Sequence, residues 1–520
     1  MIFGLKLLAP ILLLWGILYA PMRAILGDSV GDAKQFHKVH LAILACTIPN
    51  FIAIRVELFF VLAALGAWIA QQLLGGDVRA RIAAFWMSAI LFVPMRLELG
   101  GLGGINSFLS LDHFKVAAVV LLIPAALGLA SSREQRRPGT VLLDLAVLAY
   151  PLFSIANTAP GVSMTATARS LVVMGLDVAL PYFVLTRGLR SWPDLRFVLV
   201  RLFAACFFAA AVGLLEFAIQ RNIYADLQWA FGVKWSLTHT LLRGNLIRVQ
   251  AMTSQPILFA AQLILTLGLW WVVGFVRSER RGWHRMVDLA IACALVFTFS
   301  RGPWLGALAM GLTLLALLRW PARWVGALLS AVACAAVAVK VAGLDESVLA
   351  ALKTVFGSAR EDATSIEYRS QLLDTAIALV KQSPWFGVPD YAAQMQDLVQ
   401  GEGIIDLVNT YVGVTLNSGL VGLALFVAPM LVSLAMLLRR VGRDADHESP
   451  QQLRYHRVSA ALLVGFALTI FTTSSFERLP FLLLFLVAAP AIAMPAVPRR
   501  TPRLGAAATL VEPRAMGATP

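Results

Sequence analysis

The chain has 520 residues, of which 59% are hydrophobic and only 14% are charged. A soluble protein of this length would be about one-quarter charged, so the composition argues against a soluble enzyme and against a disordered scaffold. The formal net charge is +14. Because the positive residues lie mostly in short loops between apolar stretches, membrane topology and anionic lipid explain this charge better than nucleic acid does.

Long apolar blocks follow one another through most of the chain, and a spanning helix needs roughly 20 apolar residues. The short alternating strands of a transmembrane β-barrel would not produce such blocks. We therefore predict an all-α, polytopic integral membrane protein with about 12–15 transmembrane helices. The candidate blocks are 5–20, 40–55, 57–75, 82–97, 115–131, 140–157, 170–186, 197–219, 256–276, 286–300, 303–318, 323–342, 415–438, 457–473 and 478–495.

The loops between these blocks alternate in charge. Lysine and arginine are concentrated in loops such as 131–139, 277–285 and 439–457, which the positive-inside rule places in the cytoplasm. Two long segments, 220–255 and 343–414, then face outward. The second is acidic overall and contains EYRSQLLDTAIALVKQ, whose apolar residues recur at helical spacing. Extended loops of this size are commonly functional, so we expect the chemistry on the outer face.

Two arginines are predicted at the outer boundary of the membrane. Arg248 precedes the span that starts near 256, and Arg301 lies in FTFSRGPWLGA between two apolar blocks. A guanidinium near hydrocarbon is costly, and its planar fork suits paired phosphate oxygens. The alternative is that each arginine only anchors a helix at the interface. Gly302 and Pro303 predict a tight turn into a new helix, whose first amides favour an anion.

Four stretches occur in a fixed order over about 240–430, namely RVQAMTSQP, SRGPWLGALAMG, EYRSQLLDTAIALVKQSPWFGV and DLVNTYVGVTLNSGLVGLALF. Together they resemble the O-antigen ligase and polymerase family of membrane glycosyltransferases. The resemblance implies a GT-C-like fold, a large periplasmic loop and a polyprenyl-diphosphate-linked glycan as donor. It implies no cofactor, no nucleotide sugar and no obligatory metal. The four cysteines, none at CxxC spacing, also suggest no metal site.

The resemblance divides the chain into five parts. These are an N-terminal transmembrane bundle at 1–239, a ligase-like transmembrane core at 240–342, the periplasmic loop at 343–414, C-terminal transmembrane helices at 415–496, and a disordered cytoplasmic tail at 497–520.

Candidate site residues follow from the same resemblance. Arg248 and Arg301 match the essential arginines of the family, which bind the diphosphate, and Arg369 matches a third basic position. A base for the acceptor hydroxyl could be a loop carboxylate, such as Glu367, or His239, although a lone loop histidine is more often incidental. Further contacts with phosphate or sugar are predicted for Arg243, Arg360, Asn409, Tyr411 and Trp385, with membrane-interface anchoring as the alternative for the aromatic residues.

One position departs from the family pattern. Ligases of the family typically carry a histidine before the loop asparagine, whereas this chain has Val408–Asn409 and no histidine anywhere in 343–414. The departure favours a polymerase that joins lipid-linked repeat units of O-antigen or exopolysaccharide at the periplasmic face of the bacterial inner membrane. The alternatives are a ligase that transfers finished glycan to another acceptor, and a transporter or flippase. The expected partners are the polyprenyl-diphosphate-linked oligosaccharide, membrane lipids, and flippase and chain-length or export proteins, with no nucleic acid.

Overall fold

The computed structural model describes residues 2–100, 107–131, 140–231, 241–243, 245–274, 281–318, 359–398, 405, 407, 409–442, 448–474 and 477–492. Within this part, eight helical segments are long and apolar enough to cross a membrane, and two shorter apolar helices accompany them. The eight are Lys6–Val30, Val56–Leu74, His113–Ala130, Val141–Gly161, Met164–Gly188, Trp192–Ile219, Pro256–Val273 and Thr410–Gly442. The prediction of an all-α polytopic membrane protein is confirmed.

The α-helices follow one another along the chain with little other structure between them. In order they are α1 Ile2–Val30, α2 Ala33–Thr47, α3 Pro49–Ile52, α4 Val56–Leu74, α5 Val78–Leu91, α6 His113–Ala117, α7 Ile123–Ala130, α8 Val141–Thr158, α9 Met164–Met174, α10 Leu180–Gly188, α11 Trp192–Ile219, α12 Ile223–Phe231, α13 Pro256–Val273, α14 Arg281–Phe297, α15 Arg301–Leu317, α16 Ala359–Gln382, α17 Thr410–Gly442, α18 Pro450–Phe471 and α19 Leu479–Ile492.

Within the described residues, two antiparallel hairpins and several short helical turns accompany these helices. The strands are β1 Arg96–Gly100, β2 Ser107–Asp112, β3 Leu242–Arg243 and β4 Leu246–Ile247, paired β1 with β2 and β3 with β4. π-helical turns at Ala118–Leu122 and Gly175–Ala179 join α6 to α7 and α9 to α10, and 3₁₀ turns lie at Ala159–Gly161, Tyr391–Gln394 and Gln396–Leu398.

Helix α11 lies at the centre of the bundle. It packs against α1, α5, α13 and α14, and most of its side chains are buried. A helix that is apolar on every side is stable when other helices surround it, which explains why the sequence of α11 has no polar face. By contrast, α8 exposes leucines such as Leu142 and Leu145, as expected for helices at the lipid boundary.

Hydrogen bonds join segments that the charge pattern places on the same side of the membrane. On the predicted outer side, Asn157 Nδ2 donates to the carbonyl of Phe386 at 2.8 Å. On the predicted cytoplasmic side, Trp192 Nε1 donates to Gln451 Oε1 at 3.2 Å. The predicted alternation of the loops therefore agrees with the fold.

The predicted amphipathic helix of the outer loop is α16, and its apolar face is covered. Leu372, Ala376 and Leu379 recur at helical spacing and form a small buried cluster with Met395 and Leu416. Because Leu416 belongs to α17, this cluster attaches the outer-loop helix to a transmembrane helix.

The turn after α16 is also fixed to α17. Two glycines with left-handed backbone meet there, Gly387 at φ 72° and Gly419 at φ 64°. The amide of Leu420 donates to the carbonyl of Pro384 at 2.8 Å, and a Cβ on Gly419 would collide with the backbone of Trp385. Glycine is needed at Gly419 both for its dihedral angles and for this close approach.

Two predicted spans differ in the structure. The apolar block at 82–97 ends as a helix at Leu91, and a strand begins at Arg96, because the ring of Pro94 removes a backbone donor and disfavours helix in the residue before it. The block at 40–55 is divided into α2 and α3 at Pro49, which supplies the first residue of the second helix. The predicted span at 323–342 lies outside the described residues.

Two glycines of α15 provide a matched test of helix packing. A Cβ on Gly306 would collide with Thr469 Oγ1 and lie 2.7 Å from the carbonyl oxygen of Gly465, whereas one on Gly311 would meet nothing within 4 Å. Small residues allow such close contact between membrane helices. We expect Gly306→Ala to destabilise the protein by about 1–3 kcal/mol through overpacking and to lower its melting temperature in detergent. Gly311→Ala should not, and equal melting temperatures for the two variants would contradict the close contact between α15 and α18.

Candidate active site

A buried carboxylate organises the segment that carries Arg248. Glu216, in the last turn of α11, is 0% exposed. It accepts hydrogen bonds from the backbone amides of Ile223 at 3.0 Å, Gln250 at 3.3 Å and Ala251 at 2.9 Å. Ala251 has a positive φ of 46°, which is unfavourable for a residue with a Cβ. The bonds from Gln250 and Ala251 therefore hold the Arg248 segment in a conformation that its own sequence does not favour, and the bond from Ile223 joins the same carboxylate to the start of α12.

A second buried pair holds the same segment further along. The guanidinium of Arg478 donates to the carbonyl of Met252 at 2.6 Å and to Gln262 Oε1 at 3.1 Å. Glu477 accepts a bond from the amide of Ser254 at 3.2 Å, and its Oε2 also contacts the Ser254 hydroxyl. Glu477 and Arg478 form an ion pair at 3.4 Å between Oε1 and Nε. Burial raises the pKa of Glu477, and the positive charge of Arg478 offsets part of this rise.

Arg248 reaches from this segment to the turn between α14 and α15. Its Nε donates to the carbonyl of Thr298 at 3.0 Å, and its Nη2 donates to Ser300 Oγ at 3.0 Å. The next residue after Ser300 is Arg301, which is exposed at the start of α15. The structure thus places the two predicted arginines next to each other at the same end of the bundle.

Arg243 lies near the same position, on the β3–β4 hairpin. The amide of Arg248 donates to the carbonyl of Leu241 at 2.8 Å, which closes the hairpin. Burial, with the nearby positive charge of Arg243, lowers the pKa of Arg248 to about 10, so the guanidinium remains charged at neutral pH. We call Arg243, Arg248 and Arg301 the arginine group. Positive charges held together at the start of a helix are suited to binding an anion.

A cavity of about 770 Å³ is lined in part by Ser254, which belongs to the segment that carries Arg248. Its polar lining residues are Arg96, Ser110, Asp112, His113, Lys115, Tyr150, Asp177, Ser254, Tyr391, Asn409, Thr410, Asn417, Ser474 and Glu477. Residues of α8, α17 and α19 supply apolar walls. The volume falls within the range of about 300–1,000 Å³ that is usual for ligand pockets.

The arginine group does not line this cavity, but segments close to it in the chain or in contact with it do. Ser254, six residues after Arg248, is a lining residue, and so is Ser474. Gly302, directly after Arg301, packs so closely on Thr472 that a Cβ would collide with its hydroxyl. The prediction that the two arginines neighbour each other on one side of the bundle thus agrees with the structure, whereas the cavity itself is formed by other residues.

Three other predicted residues are described, with different surroundings. Asn409 lines the cavity, and its Oδ1 accepts bonds from the amides of Tyr411 at 3.0 Å and Val412 at 3.3 Å at the start of α17. The Tyr411 hydroxyl donates to the carbonyl of Ala467 at 2.9 Å, which joins α17 to α18. Trp385 is 62% exposed on the turn after α16.

The remaining predicted residues lie outside what the structure describes. His239 is one of them. The backbone of α16 is helical, but the side chains of Arg360, Glu367 and Arg369 are not described. Among the described residues, no group of three or more His, Cys, Asp or Glu side chains is arranged to hold a metal ion.

The cavity also contains a charged cluster that the sequence analysis missed. Lys115 Nζ pairs with Asp112 and, at 3.2 Å, with Asp177 Oδ2. Both Lys115 and Asp177 belong to segments apolar enough to span the membrane. An ionisable residue inside such a segment is itself a signal of function, and Asp177 in the block 170–186 could have been found that way.

Residues 286–427 match the family model described as O-antigen ligase. These residues form an O-antigen ligase family domain. The matched region begins in α14, includes Arg301 and the described part of the outer loop, and ends within α17. It therefore contains the α15 start and the α16–α17 contact. Arg248 lies outside the matched region and bonds to Thr298 and Ser300 within it. No curated protein sequence matches the chain.

Proposed function

We propose that this membrane enzyme of the O-antigen ligase and polymerase type is a glycosyltransferase that polymerises lipid-linked repeat units. The donor is a glycan on a polyprenyl diphosphate, and the acceptor is a second lipid-linked unit. The reaction takes place at the periplasmic face of the inner membrane. The observation that carries the proposal is the contact of Arg248 with Ser300, which brings two guanidinium groups to the start of α15.

The chemistry requires charge stabilisation at the leaving group. The bond between the anomeric carbon of the donor sugar and the diphosphate oxygen breaks, and the acceptor hydroxyl forms the new glycosidic bond and releases its proton. Negative charge develops on the departing diphosphate. Cations held in place before the reaction stabilise that charge without reorganising. Arg248 meets this requirement because two hydrogen bonds hold its guanidinium. The segment that carries it is also fixed, through the bonds of Gln250 and Ala251 to Glu216.

The choice of polymerase over ligase is supported by the sequence of the outer loop. Val408 stands at the position where ligases of the family typically carry a histidine, and 343–414 contains no other histidine. The histidine proposed as general base in the ligases is therefore absent. Flippase and chain-length or export proteins remain the partners that we expect for such a polymerase.

The lipid-linked products of a deletion strain distinguish the two enzymes. We expect single lipid-linked repeat units to accumulate, because their polymerisation is lost. Electrophoresis of the extracted lipid-linked glycans, with a complemented strain as control, measures this. Accumulation of long lipid-linked chains would contradict the proposal and indicate a ligase.

A transport function requires a separate test, since Lys115 and Asp177 add two charges to the few that the sequence places within spans. Purified protein in liposomes should join repeat units without moving them across the bilayer. Movement of labelled units with no new glycosidic bond would indicate a transporter.

A further inference from the structure

The charged cluster in the cavity spans two chain segments that both deviate from regular α-helix. Asp112 precedes α6, whose Lys115 is followed shortly by the π-helical turn Ala118–Leu122. Asp177 lies inside the other π-helical turn, Gly175–Ala179. Such turns occur frequently at functional sites, because the additional residue redirects neighbouring side chains. Their occurrence on both sides of one ion pair indicates that the pair has a role beyond packing.

The cluster is largely shielded from solvent, and only some of its polar atoms have a hydrogen-bond partner. The Lys115 side chain is 7% exposed, and that of Asp177 is 24% exposed. Within the described part of the chain, Asp177 Oδ1 and both ring nitrogens of His113 are buried without a hydrogen-bond partner. His113 and Asp177 both line the cavity. Unsatisfied buried polar atoms are costly, and a bound molecule that both donates and accepts hydrogen bonds would remove this cost.

The charged residues that line the cavity make it unfavourable for binding a phosphate group. Its two basic residues, Arg96 and Lys115, are outnumbered by its three carboxylates, Asp112, Asp177 and Glu477. Lys115 is already shared between two of these carboxylates. A diphosphate is therefore better placed at the arginine group than inside the cavity.

The lining has instead the composition of a carbohydrate site. Carboxylates accept hydrogen bonds from sugar hydroxyls, and an ammonium group donates to hydroxyl oxygens. Five phenylalanine and tyrosine residues, Phe114, Tyr150, Tyr391, Phe426 and Phe481, also line the cavity. Aromatic rings offer apolar faces to the C–H surfaces of sugar rings, and the apolar walls keep the polar contacts dry, which strengthens them.

We propose that this cavity binds the sugar of the acceptor, with Asp112, Lys115 and Asp177 contacting its hydroxyls, separately from the donor diphosphate at the arginine group. This inference rests on the proposed glycosyltransferase function. It assigns the two substrates to two sites that are linked by one chain segment, since Arg248 and the cavity-lining Ser254 both belong to it.

The first test compares two aspartate variants in a transfer assay with purified protein in nanodiscs. Asp177→Asn should raise the KM for the acceptor unit at least about tenfold, by roughly the 1.4 kcal/mol that a tenfold change in affinity represents, and leave the KM for the donor unchanged. The control is Asp226→Asn, since Asp226 is similarly exposed, at 25%, and is also ion-paired, with Arg221. It should leave both values unchanged. An unchanged acceptor KM in Asp177→Asn, or an equal rise for both substrates, would overturn the inference.

The second test needs no variant and no catalysis. The repeat-unit oligosaccharide, released from its lipid by mild acid and carrying a diazirine, is photolysed with the wild-type protein. We expect labelled peptides from 107–131 and 175–188, and competition by unlabelled oligosaccharide. Label confined to 241–255 or 301–317 would place the sugar at the arginine group and overturn the inference. If the wild type forms no glycosidic bond, the proposed function fails, whereas normal transfer with label elsewhere refutes only the acceptor site.

Discussion

Replacing Arg248 or Arg301 with alanine is expected to lower the rate of glycosyl transfer about 10²–10³-fold, the loss typical of removing one preorganised donor from a developing anion. The amount of protein in the membrane should not change. Arg248 holds the start of α15 through Ser300 Oγ, whereas Arg301 is exposed at that helix start. Polymer length in complemented deletion strains and initial rates with purified protein measure the effect.

Two further variants show whether charge or geometry matters at this position. Arg248→Lys keeps the charge but loses the fork that bonds both Thr298 and Ser300, so its rate should lie between those of wild type and Arg248→Ala. Arg221→Ala is the control, because Arg221 is an exposed arginine on the same predicted side. A wild-type rate in both Arg248→Ala and Arg301→Ala would refute the diphosphate-binding role.

Glu216→Ala is expected to have the second-largest effect, although Glu216 contacts no substrate in this account. The change leaves three buried backbone amides without an acceptor, at about 1–3 kcal/mol for each. The segment holding Arg248 should then loosen, so kcat should fall more than the KM for either substrate changes. Melting temperature in detergent and steady-state kinetics measure the two effects.

Two further variants, Glu216→Gln and Glu98→Gln, serve as the intermediate case and the control for this prediction. Glu216→Gln keeps one acceptor oxygen, so both its stability and its kcat should lie between those of wild type and Glu216→Ala. Glu98→Gln changes a carboxylate of β1 that is not buried and should alter neither. If Glu216→Ala melted like the wild type and kept its kcat, the hydrogen bonds from Gln250 and Ala251 to Glu216 would have no role in positioning Arg248.

Several parts of this fold could be predicted because their signals are local. The amphipathic period of α16 placed Leu372, Ala376 and Leu379 on one face, and tertiary packing covers that face. The neighbouring positions of Arg248 and Arg301 followed from both arginines being assigned to the same boundary.

The supporting residues could not be predicted, because their partners are distant in sequence. Glu216 binds amides 34 and 35 residues away, and Arg478 binds a carbonyl 226 residues away. No periodicity encodes such pairs. Tyr411 shows the converse problem: its hydroxyl, a candidate for sugar binding, instead donates to a carbonyl of α18. Sequence shows which side chains could bind a ligand, but the fold decides which of them bond to the protein itself.

The most direct test of the arginine group is the binding preference for a lipid diphosphate over a lipid monophosphate. Polyprenyl diphosphate and polyprenyl monophosphate are titrated against the wild type and an Arg248→Ala/Arg301→Ala double variant in nanodiscs, with melting temperature confirming that both are folded. The wild type should bind the diphosphate more tightly, and the double variant should lose that preference while still binding the lipid chain. A folded double variant that keeps the full preference for the diphosphate would contradict the account.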